Sequence, residues 1–173
     1  PLPYAELRVA SAFSFLDGAS LPEDLVARAA ELGLPAIALV DRNGVSGAPR
    51  FYKAARAAGL RALVGAEVVL AGEPESRLSL LVESPAGYRN LCKLLTAAAR
   101  GKPKGAAAAS WQEVEEFSAG LHLLTGGDEG PFAQALASNG SGADSARTVL
   151  ERLAHLFPGR LHVELQRHGR REE

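Results

Sequence analysis

Chemistry in this chain would sit at the strand ends and on the polar faces, where Arg8, Ala10, Asp17, Asp41, Arg42, Glu67, Arg77 and Gly127 fall. Asp17, Asp41 and Glu67 supply carboxylate oxygens, the donors that hard divalent cations take. Arg8, Arg42 and Arg77 supply the opposite. A guanidinium does not deprotonate and has no lone pair to donate, so it repels a cation instead of binding it. Unpaired buried carboxylates are expensive. At least one guanidinium–carboxylate contact is therefore expected, with Arg8, Arg42 or Arg77 pairing with Asp17, Asp41 or Glu67 within the ion-pair reach of about 4 Å. The alternative is that these arginines are drifted surface residues.

The other reactive side chains are sparse. The histidines are His122, His155, His162 and His168. His162 alternates with Glu164 and Gln166, which suggests a polar row inside a barrel. A relocated metal site is disfavoured, because no second histidine stands at ligand spacing on the same strand. His155 is expected on the solvent side of a helix, and His168 to be structural. The run TGGDEG (Thr125 to Gly130) lacks the lysine and hydroxyl of a phosphate loop, and Asp128 and Glu129 would repel an anion. It reads as a helix cap with acidic first-turn residues. Cys92 lies among Leu91, Leu94 and Leu95 and reads as a buried, inert thiol. No Ser/His/Asp or Cys/His arrangement carries weight.

These residues are positioned by short apolar runs alternating with amphipathic stretches, the pattern of an α/β domain. Strands are expected at 4–10, 35–40, 61–70, 77–82, 121–125 and 160–166. Helices are expected at about 21–32, 48–58, 85–99, 111–117, 131–137 and 143–156. Ser20 and Glu23 have the spacing of a capping box, and Gly33 and Gly59 supply left-handed helix stops. Asn43 and Gly44 make a turn, and Ser84 is an N-cap. Residues 100–110, RGKPKGAAAAS, are low in complexity and read as a loop or insertion. SNGSG (Ser138 to Gly142) reads as a flexible loop. About six mostly parallel strands with flanking helices suit an incomplete barrel or an open doubly wound sheet. Either would carry its chemistry at the C-terminal strand ends.

The bulk composition narrows the class. The 173 residues give room for one domain, and 47% hydrophobic content is ordinary for a globular one. A net charge of −1 does not mark a dedicated nucleic-acid or anionic-membrane binder. The cluster Arg167, Arg170 and Arg171 stands beside Glu172 and Glu173 and reads as solvated surface. One cysteine excludes an internal disulfide and suits a reducing cytoplasm. No apolar run could span a membrane, and no signal pattern opens the chain. The lack of methionine and the charged ending RHGRREE lead us to expect a piece of a longer chain.

Several segments, in order, carry a resemblance: YAEL, FSFLDGAS, ALVDRNGVSGAPRFYKAARAAGL, VGAEV, LLVESPAGYRNLCKLLT, LLTGGDEG and RLHVELQRHG. Together they resemble the N-terminal PHP (polymerase and histidinol phosphatase) domain of bacterial C-family DNA polymerases. FSFLDGAS and VELQRHG look more like the error-prone branch than the replicative DNA polymerase III alpha subunit. The resemblance implies an incomplete (β/α)7-type PHP barrel spanning 1–173. It also implies a site where H-x-H, Asp-His and an acid after a Gly-x pair, with further His, Cys and Asp-x-His positions, hold divalent metals for phosphoester hydrolysis. Here the H-x-H position reads Arg8-Val9-Ala10, and the histidine after Asp41 is Arg42. Asp17 and Glu67 remain. A histidine position falls on Arg77 and a cysteine position on Gly127, while the final Asp-x-His lies past Glu173.

Asp17 and Glu67 are too few to hold a metal cluster without further donors. The resemblance with these departures implies a non-catalytic module without cofactor or metal of its own, acting as a structural or interaction platform. Its parent would be an error-prone polymerase making DNA past lesions in the cytoplasm, with divalent ions at its own polymerase site. The implied partners are the rest of that chain, other polymerase or mutagenesis subunits, and DNA through the parent. The competing expectation is a metal-dependent phosphoesterase or 3′–5′ proofreading nuclease on the same barrel, favoured by Asp17, Asp41 and Glu67.

Overall fold

The computed structural model describes residues 4–72, 76–138 and 142–165. The elements follow the alternation expected from the sequence: β1 (Glu6–Val9), α1 (Pro22–Glu31), β2 (Ala36–Arg42), α2 (Ala48–Ala57), β3 (Arg61–Leu70) and β4 (Ser76–Val82). Then come α3 (Pro85–Ala99), α4 (Trp111–Phe117), β5 (Leu121–Leu124), α5 (Pro131–Ala137), α6 (Gly142–Leu156) and β6 (Leu161–His162). The strands form one sheet in sequential order, β1 through β6. β1, β2 and β3 are mutually parallel, and β5 and β6 are parallel. β4 runs against both of its neighbours. The link from β3 to β4 is too short for a crossover, which takes a dozen or more residues, so a hairpin is the available connection.

The sheet is curled into a half-barrel with flanking helices. The curl is visible in one contact. Arg8 on β1 reaches Glu164, just beyond β6 at the opposite edge, at 3.3 Å. A flat six-stranded sheet would hold its edges more than 20 Å apart, at nearly 5 Å per strand step.

Two apolar clusters hold the helices on. Val26 and Ala29 of α1 and Phe51 and Ala55 of α2 pack with Ile37 and Leu39 of β2. Leu91, Leu94 and Ala98 of α3, Val114 of α4 and Leu153 of α6 pack with Val68, Leu78, Leu80, Leu121 and Leu123. Phe51 and Phe157 are fully buried. β2 is apolar and buried from Ala36 to Val40, as a central parallel strand covered on both faces should be.

Local signals account for most boundaries. Gly33 and Gly59 hold φ of +67° and +70° just past α1 and α2, the left-handed stops expected there. Ser84 caps α3 by accepting from the Gly87 amide at 3.1 Å. The capping box expected at Ser20 is absent. Leu21 is the N-cap of α1 and makes no side-chain cap bond, while Glu23 turns to Arg50 at 2.7 Å. A capping box exists instead at Ser110 and Glu113, opening α4. The 100–110 segment is anchored at its far end. Ala109 is buried, and its amide donates to the Val69 carbonyl at 2.8 Å.

Three further expectations are corrected. α5 starts at Pro131 with Gly130 as N-cap, so Asp128 and Glu129 precede the helix instead of filling its first turn. β6 is two residues long, and Val163 to Leu165 are not strand. Cys92 is half-buried rather than buried. His155 is exposed on α6, as expected. Gln166, His168, the 167–173 arginine cluster and the centre of the SNGSG loop lie outside the described residues. Among the described residues, no helix is long and apolar enough to cross a membrane.

Candidate functional site

The C-terminal ends of β1, β2 and β3 and the start of β4 meet at one end of the cleft, and they bring the sequence-selected charges together. Glu67 on β3 is the hub. Its Oε1 accepts from Arg8 Nε at 3.1 Å and from Arg8 Nη2 at 2.7 Å. Its Oε2 accepts from Arg77 Nη1 at 3.2 Å, and the Ser79 hydroxyl lies 3.5 Å from Oε1. The register explains the geometry. Glu67 is paired with Arg42 on β2 and with Ser79 on β4, placing it at the centre of the charged row.

Arg77 Nη1 also lies 3.3 Å from Asp17 Oδ2 and 2.9 Å from Glu129 Oε2. One guanidinium nitrogen is thus shared by Asp17, Glu67 and Glu129. Arg42 completes the network, with Nη1 3.0 Å from Asp17 Oδ2 and Nη2 donating to the Phe15 carbonyl at 2.8 Å. The Arg8 and Arg77 side chains are 22% and 14% exposed and that of Glu67 is 10%, so these pairs are only partly screened by solvent. Burial acts to lower the Arg8 pKa, but hydrogen bonds and Coulomb attraction to Glu67 and Glu164 outweigh it. The guanidinium is held above its ordinary value.

Asp41 departs from the expected arginine pairing. It is buried at 1% exposure, and its Oδ1 accepts from the Ser11 amide at 2.7 Å and the Ser14 hydroxyl at 2.7 Å. The Ser11 hydroxyl lies 2.9 Å from Oδ2. Ser14 Oγ in turn accepts from the Arg42 amide at 2.9 Å. Asp41 therefore organises the loop after β1, so that Phe15, Leu16 and Asp17 are presented at the cleft. Leu16 sits there with φ of +69° and 87% exposure. Ala10 lines the cleft without a donor atom. Gly127 lies in the turn after β5, where its carbonyl accepts from the Gly130 amide at 2.8 Å.

Ser11 and Ser14 were not singled out by sequence reasoning, which put Glu129 in a helix cap and Glu164 in a polar row but neither of them in this network. Two short hydroxyl side chains three residues apart in a loop have no periodic signal, and Glu129 and Glu164 enter the network only through the curl of the sheet. The residues present do not fit a divalent-metal cluster. Arg8, Arg42 and Ala10 supply no donor, and both oxygens of Glu67 and Asp41 and Oδ2 of Asp17 are engaged by guanidinium, hydroxyl or amide groups.

A curled α/β sheet with its polar residues converging at the C-terminal strand ends defines a barrel-type domain whose chemistry, where it has any, belongs at that rim. The chain belongs to the PHP domain family, whose model matches residues 6–168. It is 40% identical over 176 residues to the error-prone DNA polymerase of Mycobacterium tuberculosis (strain ATCC 25618 / H37Rv), covering 96% of this chain and 16% of that protein. It is 45% identical over 139 residues to the error-prone DNA polymerase of Anaeromyxobacter sp. (strain K), covering 73% of this chain and 12% of that protein. The chain thus spans less than a fifth of the length of these relatives. Among solved structures, an amidohydrolase from Chromobacterium violaceum aligns with a TM-score of 0.48 and 28% identity, over 56% of this chain and 34% of that one.

Proposed function

We propose that the chain is a non-catalytic PHP module of an error-prone DNA polymerase, serving as a structural and interaction platform for the rest of the polymerase chain. The relatives named error-prone DNA polymerase, each far longer than this chain, support the parent. The parent would carry out DNA-directed synthesis past lesions, using divalent ions at a separate polymerase site. It would meet DNA and any other polymerase or mutagenesis subunits as a whole. The single observation behind the non-catalytic reading is Arg77 Nη1, placed among Asp17, Glu67 and Glu129. A cation fixed to the fold sits where carboxylates would otherwise attract a mobile one.

The test compares the chain with a variant carrying Arg8→His, Ala10→His, Arg42→His, Arg77→His and Gly127→Cys. Both are assayed for hydrolysis of a phosphodiester substrate and single-stranded DNA with manganese or zinc. The native chain is expected to show no turnover above buffer. Turnover by the native chain that disappears in Glu67→Gln would overturn the proposal in favour of a phosphoesterase or proofreading nuclease. Metal-dependent turnover gained only by the multiple variant would support the arginines as the cause of the loss.

A further inference from the structure

His122 and His162 stand on adjacent parallel strands, and their side chains meet. His122 Nδ1 lies 2.9 Å from His162 Nε2, with ring centroids 5.1 Å apart and planes inclined by 30°. The register makes the meeting intelligible. Leu124 on β5 is the partner of His162 on β6, so His122, two residues earlier, is its diagonal neighbour. In the other direction, Leu124 pairs with Ser79 and His122 pairs with Leu81. Ser79 pairs with Glu67, and Leu81 with Gly65. His162 thus shares the row of Glu67 across the sheet, and His122 lies in the row below. Both line the same open cleft as the arginine network.

The geometry points to a two-imidazole site for a borderline divalent transition metal such as zinc, on the inner face beside the arginine-filled rim. Imidazole nitrogens ligate zinc at about 2.0–2.1 Å, which puts two of them about 3.3 Å apart in a tetrahedron. The observed nitrogens need to separate by only about 0.4 Å to reach that spacing. Each neutral ring can carry its proton on the nitrogen that faces away, which frees both facing nitrogens to offer lone pairs. The rings, now pointing nitrogen to nitrogen, have to turn about their side-chain torsions to aim at one ion. The pair is exposed, which gives an ion a path in and leaves its remaining positions to water. No group of three or more His, Cys, Asp or Glu side chains arranged to hold a metal exists among the described residues, so His122 and His162 are the ligands the described residues supply. Imidazole donors also select against the hard cations that the carboxylates of the rim would favour. The site is therefore chemically distinct from the degenerate one and does not depend on it.

The experiment is calorimetric titration of the metal-free chain with zinc chloride. His122→Gln, His162→Gln, His155→Gln, His168→Gln and Cys92→Ser are titrated in parallel, and circular dichroism confirms that each variant folds. One equivalent of zinc is expected to bind to the native chain. Affinity should drop at least tenfold in His122→Gln and in His162→Gln, and stay within twofold in the other three. Loss of binding in His168→Gln or Cys92→Ser with His122→Gln unaffected would overturn the assignment, as would absence of binding at millimolar zinc. The phosphodiester assay reads the rim independently, since binding here is expected without turnover.

Discussion

Arg77 on β4 and Glu67 on β3 are diagonal neighbours on paired strands with Nη1 and Oε2 3.2 Å apart, and each is held a second time by another partner. Glu67 is gripped by Arg8 and Arg77 from opposite sides, while Arg77 bridges from Glu67 to Asp17 and Glu129. The result is a charge network in which Glu67 and Asp17 each meet two guanidinium groups. Its members come from β1, the loop after it, β2, β3, β4, the turn after β5 and the residues beyond β6. It therefore ties the curl of the sheet together at one end.

Removing Arg77 should expose what it neutralises. Arg77→Met leaves Asp17, Glu67 and Glu129 converging without their shared cation, a loss of about 2 kcal/mol after allowance for partial solvent access. Millimolar calcium or manganese should recover part of that loss in the variant, because three carboxylates suit a hard ion. The native protein should not respond. Thermal melts with and without the ions check this, and an equal shift in both proteins would contradict it.

Asp41 should matter more to folding than any arginine at the rim. Asp41→Ala strips acceptors from the Ser11 amide and from the hydroxyls of Ser11 and Ser14, all in a buried setting. The expected loss is about 2–4 kcal/mol, since each abandoned donor retains its desolvation penalty. Ser14→Ala, which removes one of those donors and an acceptor for the Arg42 amide, should lose about 1 kcal/mol. Urea denaturation gives both values, and a larger effect for Ser14→Ala would reverse this ranking.

Much of this arrangement was legible in the sequence, for a physical reason. Arg8, Arg42, Glu67 and Arg77 are charged residues on strands and Asp17 lies in the loop after β1, and charges gathered at one end of the sheet must find each other once it folds. Their pairing was open to inference, and the contacts are present. The positions of the strands and most helix ends followed from period and from Gly33, Gly59 and Ser84, while the order of the strands in the sheet and the reversed β4 did not. The hydroxyl cradle of Asp41 was not legible, because Ser11 and Ser14 resemble any loop serines. The Ser20 and Ser110 segments share the S-x-x-E pattern, yet only Ser110 caps, because at Ser20 the chain starts its helix one residue later. The His122–His162 contact depends on the register between β5 and β6, which no single-strand spacing encodes.

The Glu23–Arg50 pair gives a pH signature. The Glu23 carboxyl is held below its ordinary value of 4.5, first by the Glu23 backbone amide and then by Arg50. A carboxyl with a depressed folded pKa contributes stability that is present above the unfolded pKa and lost as pH falls through the folded one. Glu23→Gln should therefore narrow its stability difference from the native chain as pH drops below about 4.5, the range where the unfolded carboxyl titrates. Arg50→Ala should raise the Glu23 pKa measured by NMR without returning it fully to 4.5, because the amide remains. A full return would assign the whole shift to Arg50.

Leu16 offers the opposite kind of test, a substitution that should stabilise. At φ of +69° a branched side chain is strained, and at 87% exposure it gains almost nothing from burial. Its neighbours fix this conformation. The Asp17 and Gly18 amides both donate to the Ser14 carbonyl at 2.9 Å, and Asp17 is anchored by Arg42 and Arg77. The loop is therefore over-determined from both sides, which lets a strained residue persist between them. Glycine adopts this backbone freely but gives up entropy in the unfolded chain. Relief of strain should outweigh that loss, so Leu16→Gly is expected to raise stability by about 0.5–1 kcal/mol. Leu16→Ala keeps a Cβ in the left-handed region and should change little. Chemical denaturation of the two variants separates strain from side-chain contact: a loss of stability in both would mean that Leu16 packs in solution, and that the loop is held by its apolar side chain rather than by Asp17 and Asp41.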